Sequence, residues 1–187
     1  MLDIAANRAK PNYTSSENTR RVLWMLGQWL FTLSPRICFG WRNWLLRLFG
    51  ARIGKHVHIY NSARIYFPWN LSVEDWSSIA EGALIYNLGF IRIGKSVTIS
   101  HRAHLCAATH DYCKPDMPLL RLPIAIHDQV WICAEAFVGP GVVVGQGAVV
   151  AARSVVIREV DPWMVVAGNP AHFIKNRALE YSINSTS

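Results

Sequence analysis

The residue of this chain best suited to proton transfer is His110, in the segment CAATHDYCKPD. A neutral histidine has a pKa near the working pH and can take a proton from a hydroxyl group, so His110 is a candidate general base. The carboxylate of Asp111 could orient the imidazole ring, although adjacent side chains often point to different sides. The alternative is that His110 is a loop histidine without a catalytic role.

The cysteines and the other histidines suggest no further chemistry. The four cysteines form no CxxC pair or disulfide framework, which predicts reduced thiols in the cytoplasm. No cysteine or serine stands beside a base as a nucleophile would, so we do not expect a covalent enzyme intermediate. The seven histidines do not cluster with cysteines at zinc-ligand spacing, so no metal is expected.

A repeat of six residues organises most of the chain. The repeated position is always Ile, Val or Leu, at Ile53, Ile59, Ile65, Val73, Ile79, Ile85, Ile93, Ile99, Leu105, Ile126, Ile132, Val138, Val144, Val150 and Val156. Neither the helical period of 3.6 nor the strand period of 2 places all of them on one face. A parallel β-helix of stacked short strands does, because each turn buries these residues against the turns above and below.

The breaks in the repeat predict a triangular cross-section. Two extra residues follow Ile65, two follow Ile85 and fifteen follow Leu105, in each case after three hexads and therefore at one corner. The chain then divides into a polar tail (1–19), a basic aromatic helical segment (20–52), five coils (53–160) with a long loop at 107–125, and a C-terminal cap and tail (161–187). Within the cap, the Asn169-Pro170 turn predicts a capping helix from Ala171 to Tyr181.

Composition and charge narrow the class of protein. With 187 residues, 51% apolar and 17% charged, the chain is expected to form one globular domain without a membrane-spanning helix or a signal peptide. The net charge of +7 is concentrated between Asn18 and Val73, where eight basic residues occur without an acidic one. The apolar stripe, tryptophans and six arginines of 20–52 are typical of a helix on anionic lipid. Alternatively, the stripe caps the first coil and the arginines are solvated.

The hexads IGKSVT, ISHRAH and LCAATHDY, followed by VWICAEAFVGPGVVVGQGAVVAARSVVIREV and VVAGNPAHFIK, resemble the hexapeptide-repeat acyltransferases. The branch they resemble is that of the sugar O-acetyltransferases, similar to maltose and galactoside acetyltransferases and to those of colanic acid biosynthesis. The resemblance implies a left-handed β-helix and acetyl-CoA as co-substrate. It also implies a homotrimer whose active sites lie between neighbouring prisms.

The resemblance also implies roles for individual residues. His110 falls at the position of the catalytic histidine, and Ala134 where a backbone N–H stabilises the oxyanion and contacts the coenzyme. Asn87 falls near the sugar site, although an asparagine there could instead ladder the corner turn. Trp131 is either a wall of the acceptor site or packing between subunits.

Four further residues fall on the stretch that holds coenzyme A in the resembled family. They are Ala152, Arg153, Arg158 and Lys175. The usual Gly-Ala-Gly is replaced by Ala151-Ala152-Arg153, and a usual Thr-Lys pair is Ile157-Arg158. Ile157 therefore lacks one hydroxyl group that the family uses for a hydrogen bond.

The expected function is transfer of an acetyl group from acetyl-CoA to a hydroxyl of a sugar or glycan intermediate of cell-surface polysaccharide synthesis. His110 would act as the general base in a ternary complex. The expected partners are a sugar or lipid-linked glycan acceptor, two further copies of the chain, and a membrane surface contacted through residues 20–52, but no nucleic acid. The alternatives are a non-catalytic β-helix scaffold or sugar-binding protein and a zinc hydratase similar to γ-carbonic anhydrases.

Overall fold

The computed structural model describes residues 2–180. Three helices precede the solenoid: α1 (Ile4–Ala9), α2 (Ser15–Leu33) and α3 (Phe39–Leu48). Thr14 and Glu17 form a capping box at the start of α2, so this helix begins earlier than the segment 20–52 predicts. Much of the predicted polar tail is therefore helical.

Nineteen short strands follow. They are β1 (Arg52–Ile53), β2 (His58–Ile59), β3 (Arg64–Ile65), β4 (Leu71–Val73), β5 (Ser78–Ile79), β6 (Leu84–Tyr86), β7 (Ile91–Ile93), β8 (Thr98–Ile99), β9 (His104–Cys106), β10 (Ala108–His110), β11 (Leu119–Arg121), β12 (Ile124–Ile126), β13 (Trp131–Ile132), β14 (Phe137–Val138), β15 (Val143–Val144), β16 (Val149–Val150), β17 (Val155–Val156), β18 (Met164–Ala167) and β19 (His172–Asn176).

The strands form the three faces of a triangular prism. Sheet A has the order β1-β4-β7-β12-β15, sheet B β2-β5-β8-β13-β16-β18-β19, and sheet C β3-β6-β9-β14-β17. Successive coils pair in parallel and in register, as in Ile53 with Val73 and Ile85 with Leu105. All fifteen aliphatic residues of the repeat are buried, which confirms the predicted β-helix.

The C–A corner, where each coil passes from sheet C to the next strand of sheet A, carries the predicted insertions. The largest is an antiparallel hairpin of β10 and β11, in which His110 pairs with Leu119. We call residues 108–121 the catalytic hairpin. It forms a separate two-stranded sheet at the end of the third coil.

The C-terminal cap differs from the prediction. Five coils are complete, and a sixth begins where Val160 bridges Val144 and β18 pairs with β16. Residues 172–176 form β19, antiparallel to β18, so the predicted capping helix from Ala171 is wrong over the described residues. The open edge of β18 offers backbone partners to the β-prone sequence HFIKN, whereas a short isolated helix has none. Tyr181 lies outside the described residues.

The N-terminal helices cap the first coil through its carbonyl groups. The N–H groups of each coil donate to the carbonyls of the next coil, for example His58 N to Ser77 O, so the carbonyls of the first coil have no preceding coil to pair with. Side chains of α2 and α3 donate to four of them: Trp24 to Ile65, Arg42 to Ile59, Asn43 to Val57 and Arg47 to Ile53.

Arg42 is the most deeply buried of these donors. Its side chain is fully buried, and it also donates to Ser34 Oγ, Pro35 O and Arg36 O at 2.7–2.9 Å. Burial lowers the pKa of the guanidinium, and these acceptors offset the cost of burying the charge. Arg42 is therefore a structural cation and is not available to a lipid surface.

Candidate active site

The imidazole of His110 is held in one tautomer by a backbone carbonyl. Its Nδ1 lies 2.7 Å from Met117 O at the turn of the catalytic hairpin. Because a carbonyl oxygen only accepts, Nδ1 must carry the hydrogen, and the lone pair of a neutral ring is then on Nε2. The residue is exposed, so Nε2 can reach a substrate. This is the arrangement that a histidine general base requires.

Asp111 does not orient this ring. Its Oδ1 accepts from Cys113 N at 3.1 Å, and its Oδ2 lies 3.5 Å from Lys114 Nζ. The predicted role of Asp111 in orienting His110 therefore has no support in these contacts. The carbonyl of Met117 performs that task, and a backbone carbonyl leaves no signature in the residue types around it.

An N-terminal strap, residues 3–13, fastens the turn of the catalytic hairpin. Asn7 Nδ2 donates to Met117 O at 2.7 Å and to Asp116 O at 2.6 Å. Asp3 N donates to Pro115 O at 2.8 Å, and Lys10 pairs with the carboxylate of Asp116. Met117 O therefore accepts two hydrogen bonds, one from the His110 ring and one from Asn7, which is more than 100 residues away in the chain.

A second contact ties the start of α2 to the hairpin strand β11. Arg121 donates to Glu17 Oε1 and to Asn12 O, both at 2.6 Å, and its guanidinium lies 5.3 Å from the ring of Tyr13. The hydrogen bond from Arg121 lowers the pKa of Glu17. Sequence analysis missed the strap because its residues are polar and show no periodicity.

Asn87 is buried at the C–A corner. Its Oδ1 accepts from Phe67 N at 2.9 Å, and its Nδ2 donates to Phe67 O at 2.6 Å. These contacts match the ladder alternative, in which the amide replaces missing backbone partners at a turn. They do not present the amide to an acceptor hydroxyl, so the predicted catalytic and sugar-binding role of Asn87 has no support in this geometry.

Three of the residues predicted to contact coenzyme A lie together at the B–C corner. Arg153 N donates to Ala134 O at 2.9 Å, so Ala152, Arg153 and Ala134 occupy adjacent turns. Arg153 Nε also donates to Glu135 Oε2 at 2.7 Å, which holds the pKa of that carboxyl below its usual value. Arg153 is exposed and Glu135 is half-buried at the surface, so this pair contributes little to stability and Arg153 can exchange it for another anion.

The remaining predicted residues lie elsewhere on the prism. Arg158 is exposed at the C–A corner of the fifth coil, and Lys175 lies on β19 at the edge of sheet B. Trp131 is exposed on sheet B, where its Nε1 donates to Ser100 Oγ at 2.9 Å. His110 leaves the C–A corner, whereas Ala134 and Arg153 lie at the B–C corner. One chain therefore places the base and the group of Ala134 and Arg153 at different corners.

The described residues hold no group of three His, Cys, Asp or Glu side chains arranged to bind a metal ion. Between residues 2 and 180, no helix is both long enough and apolar enough to cross a bilayer.

The proteins similar to this chain in sequence and in structure that are described below are all named as acetyltransferases. The chain is 39% identical over 154 residues to WcaF of Escherichia coli K12, a protein named for acetyl transfer in colanic acid biosynthesis, and the match covers 82% of this chain and 85% of WcaF. No protein-family model matches the chain.

Solved structures share the fold. The hexapeptide-repeat acetyltransferase VCA0836 from Vibrio cholerae has a TM-score of 0.81 at 25% identity, covering 87% of this chain and 93% of that chain. A maltose O-acetyltransferase from Clostridium difficile has a TM-score of 0.79 at 23% identity, covering 89% and 90%. Since the match to WcaF extends over most of both sequences, the chain belongs to the hexapeptide-repeat acetyltransferase family of left-handed β-helix enzymes, in its sugar O-acetyltransferase branch.

Proposed function

We propose that this protein transfers the acetyl group of acetyl-CoA to a hydroxyl of a sugar or glycan intermediate in cell-surface polysaccharide biosynthesis. The observation that carries the proposal is the fixed tautomer of His110, with Nδ1–H bonded to Met117 O and Nε2 free. The name of WcaF supports a polysaccharide intermediate as the acceptor, and VCA0836 has been solved in complex with acetyl coenzyme A.

The proposed reaction uses His110 and Ala134. Nε2 of His110 takes the proton of the acceptor hydroxyl while its oxygen attacks the thioester carbonyl, which becomes a tetrahedral oxyanion. The backbone N–H of Ala134 stabilises that oxyanion. When the C–S bond breaks, the acetyl group stays on the acceptor oxygen and the proton on His110 passes to the departing thiolate. The products are the acetylated acceptor and free coenzyme A.

Transfer is direct, within a ternary complex. Among the cysteines near the site, Cys106 lies with its sulfur 3.3 Å from Ala108 O, and burial raises the pKa of the Cys133 thiol. The Cys106 thiol is bonded to a backbone carbonyl, and the raised pKa of Cys133 makes that thiol a poor nucleophile. Neither residue is therefore suited to carry an acetyl group between the two substrates.

The active enzyme is a homotrimer. His110 and the group of Ala134 and Arg153 lie at different corners of one prism, and three-fold packing of prisms would set one subunit's C–A corner beside the next subunit's B–C corner. Each of the three seams then contains a base from one chain and coenzyme contacts from another. The separation of these residues within one chain supports this assembly.

The protein also contacts the membrane surface through α2 and α3. The stripe of α2 that faces the solenoid consists of Trp24, Gly27 and Phe31. The opposite side is apolar too, with seven exposed residues: Val22, Leu23, Met25, Leu26, Trp29, Leu30 and Leu33. Exposed Ile37, Trp41, Trp44 and Leu48 extend this surface beside α3. We call these eleven residues the outward apolar face.

Burial in a lipid interface would remove this face from water, and its tryptophans are residues that favour the headgroup region. The charge available for attraction is smaller than the six arginines of the sequence indicate, because Arg42 is buried, Arg47 caps Ile53 and Arg36 pairs with Glu81.

We therefore expect cosedimentation with anionic vesicles that high salt reduces but does not abolish. Leu26→Glu with Leu33→Glu should release the protein, whereas Ile174→Glu at the other end of the prism should not. Wild-type protein that stays in the supernatant at low salt would exclude this contact.

The enzymatic proposal is tested by measuring release of coenzyme A from acetyl-CoA against a panel of simple saccharides, nucleotide sugars and lipid-linked oligosaccharides. We expect release with at least one glycan class, together with an acetyl ester on the recovered acceptor. A folded protein that binds glycan but releases no coenzyme A with any member would favour the non-catalytic sugar-binding alternative.

A further inference from the structure

A groove of about 630 Å³ lies between α2 and the first two coils of sheet C. Its walls include three tyrosines, Tyr13 from the N-terminal strap, Tyr66 and Tyr86, and Trp24 lies at its base. Tyr66 and Tyr86 meet edge to face with ring centroids 4.9 Å apart. Aromatic faces and edges of this kind suit the flat apolar side of a sugar ring.

Two cations line the same groove without a carboxylate partner in the described part of the chain. Arg21 lies 3.9 Å from the ring centroid of Tyr13 and donates to Asn18 Oδ1, and Arg64 lies 5.7 Å from the ring of Tyr66. Glu17, the nearest acid on α2, is bonded to Arg121. Guanidinium groups over aromatic rings, with no carboxylate of residues 2–180 paired to them, are suited to bind phosphate oxygens.

The groove connects two other features of the molecule. At one side it is lined by Val22 and Met25, which also belong to the outward apolar face. At the other side it is lined by Phe67 and Leu88, which form one apolar cluster with Ala108, the first residue of the catalytic hairpin. A ligand in the groove would therefore extend from the membrane-facing surface toward the strand that carries the base.

We infer that this groove binds the diphosphate and first sugar of a lipid-linked acceptor. The phosphates pair with Arg21 and Arg64, the sugar packs on the tyrosines, and the hydrocarbon chain continues over Val22 and Met25 onto the outward apolar face. The inference rests on the proposed function and specifies its acceptor class. A nucleotide sugar offers the same diphosphate and sugar, but it has no hydrocarbon chain for the apolar side of the groove.

The test is calorimetric titration of the full chain, without acetyl-CoA, with three probes: geranyl diphosphate-linked glucose, the phosphate-free geranyl glucoside, and UDP-glucose. We expect the geranyl diphosphate probe to bind at least about tenfold more tightly than either of the others, because only it satisfies both the arginines and the apolar side. Arg21→Gln and Arg64→Gln should each weaken it about tenfold or more. Arg52→Gln, an exposed arginine outside the groove, should leave its affinity unchanged.

Equal affinity for the glucoside and the diphosphate probe would overturn the inference, as would arginine variants that bind like the wild type. Tighter binding of UDP-glucose would overturn the lipid source and assign the groove to nucleotide sugars. Because binding is read without turnover, a groove that binds in a protein that never releases coenzyme A would contradict the proposed function alone. If the enzyme acetylates a lipid-linked glycan and neither arginine variant changes that turnover, the assignment of the groove is contradicted and the proposed function is not.

Discussion

The base of this site depends on one carbonyl oxygen. Met117 O accepts from both His110 Nδ1 and Asn7 Nδ2, each at 2.7 Å, so Asn7 positions the base without touching a substrate. The sequence identifies His110 through its place at the start of the fifteen-residue insertion. It cannot identify Met117 or Asn7, because the former acts through its backbone and the latter comes from a segment without periodicity.

Loss of Asn7 should therefore lower turnover. Asn7→Ala removes one donor from Met117 O and loosens the turn that fixes the imidazole, so we expect kcat to fall roughly tenfold while KM for acetyl-CoA stays unchanged. The kcat of Asn7→Asp should fall further, because its carboxylate would face the carbonyl oxygens of Asp116 and Met117. Asn12→Ala, in the same strap, is the control. Steady-state kinetics in which Asn7→Ala matches Asn12→Ala would remove Asn7 from this role.

Among the elements, the two ends of the solenoid show what a repeat can and cannot predict. The repeat predicts the coils, because each aliphatic residue is buried by another aliphatic residue one coil away. At the ends that neighbour is missing, and the chain uses different solutions. The first coil receives side-chain donors from α2 and α3, whereas the last coil continues into the hairpin of β18 and β19. The hexads contain no information on either.

The capping role of α3 gives a stability prediction. Arg42→Ala would leave the carbonyls of Ile59 and Arg36 buried or half-buried without a donor, whereas Pro35 O would keep the N–H of Cys38. We expect the free energy of unfolding in urea to fall by about 3 kcal/mol or more. Arg36→Ala removes an exposed pair with Glu81 and a contact with the ring of Tyr60, and should cost less than about 1 kcal/mol. Equal losses in the two variants would show that Arg42 does not cap the first coil.

At the scale of the whole molecule, the site is divided between corners that a single prism keeps apart. Residues predicted from the family resemblance as one site, such as His110 and Ala134, would become adjacent in the proposed trimer. The distribution of charge is likewise a property of the fold, since the sequence shows six arginines in residues 20–52 but not that Arg42 is buried. Helix α2 is apolar on two sides, and the sequence does not show which side packs against the coils and which stays exposed.

A shared site predicts complementation between inactive chains. His110→Ala lacks the base, and Ala134→Phe should block the oxyanion position, so each variant alone should be inactive. In randomly mixed trimers one seam in four would combine an intact base with an intact Ala134 face, giving about a quarter of wild-type turnover. Coexpressed and copurified chains with differently tagged termini would provide the mixture. A mixture as inactive as its parents would place the whole site within one chain.

The most direct test of the proposed reaction is the turnover number of His110→Ala in the coenzyme A release assay with the glycan that supports wild-type activity. Without Nε2 no group takes the hydroxyl proton, so kcat should fall by roughly 10²–10⁴-fold while the affinity for acetyl-CoA changes little. His127→Ala, an exposed histidine at a different corner of the prism, should keep wild-type turnover. A folded His110→Ala protein that loses less than about fivefold in kcat would contradict the assignment of His110 as the general base.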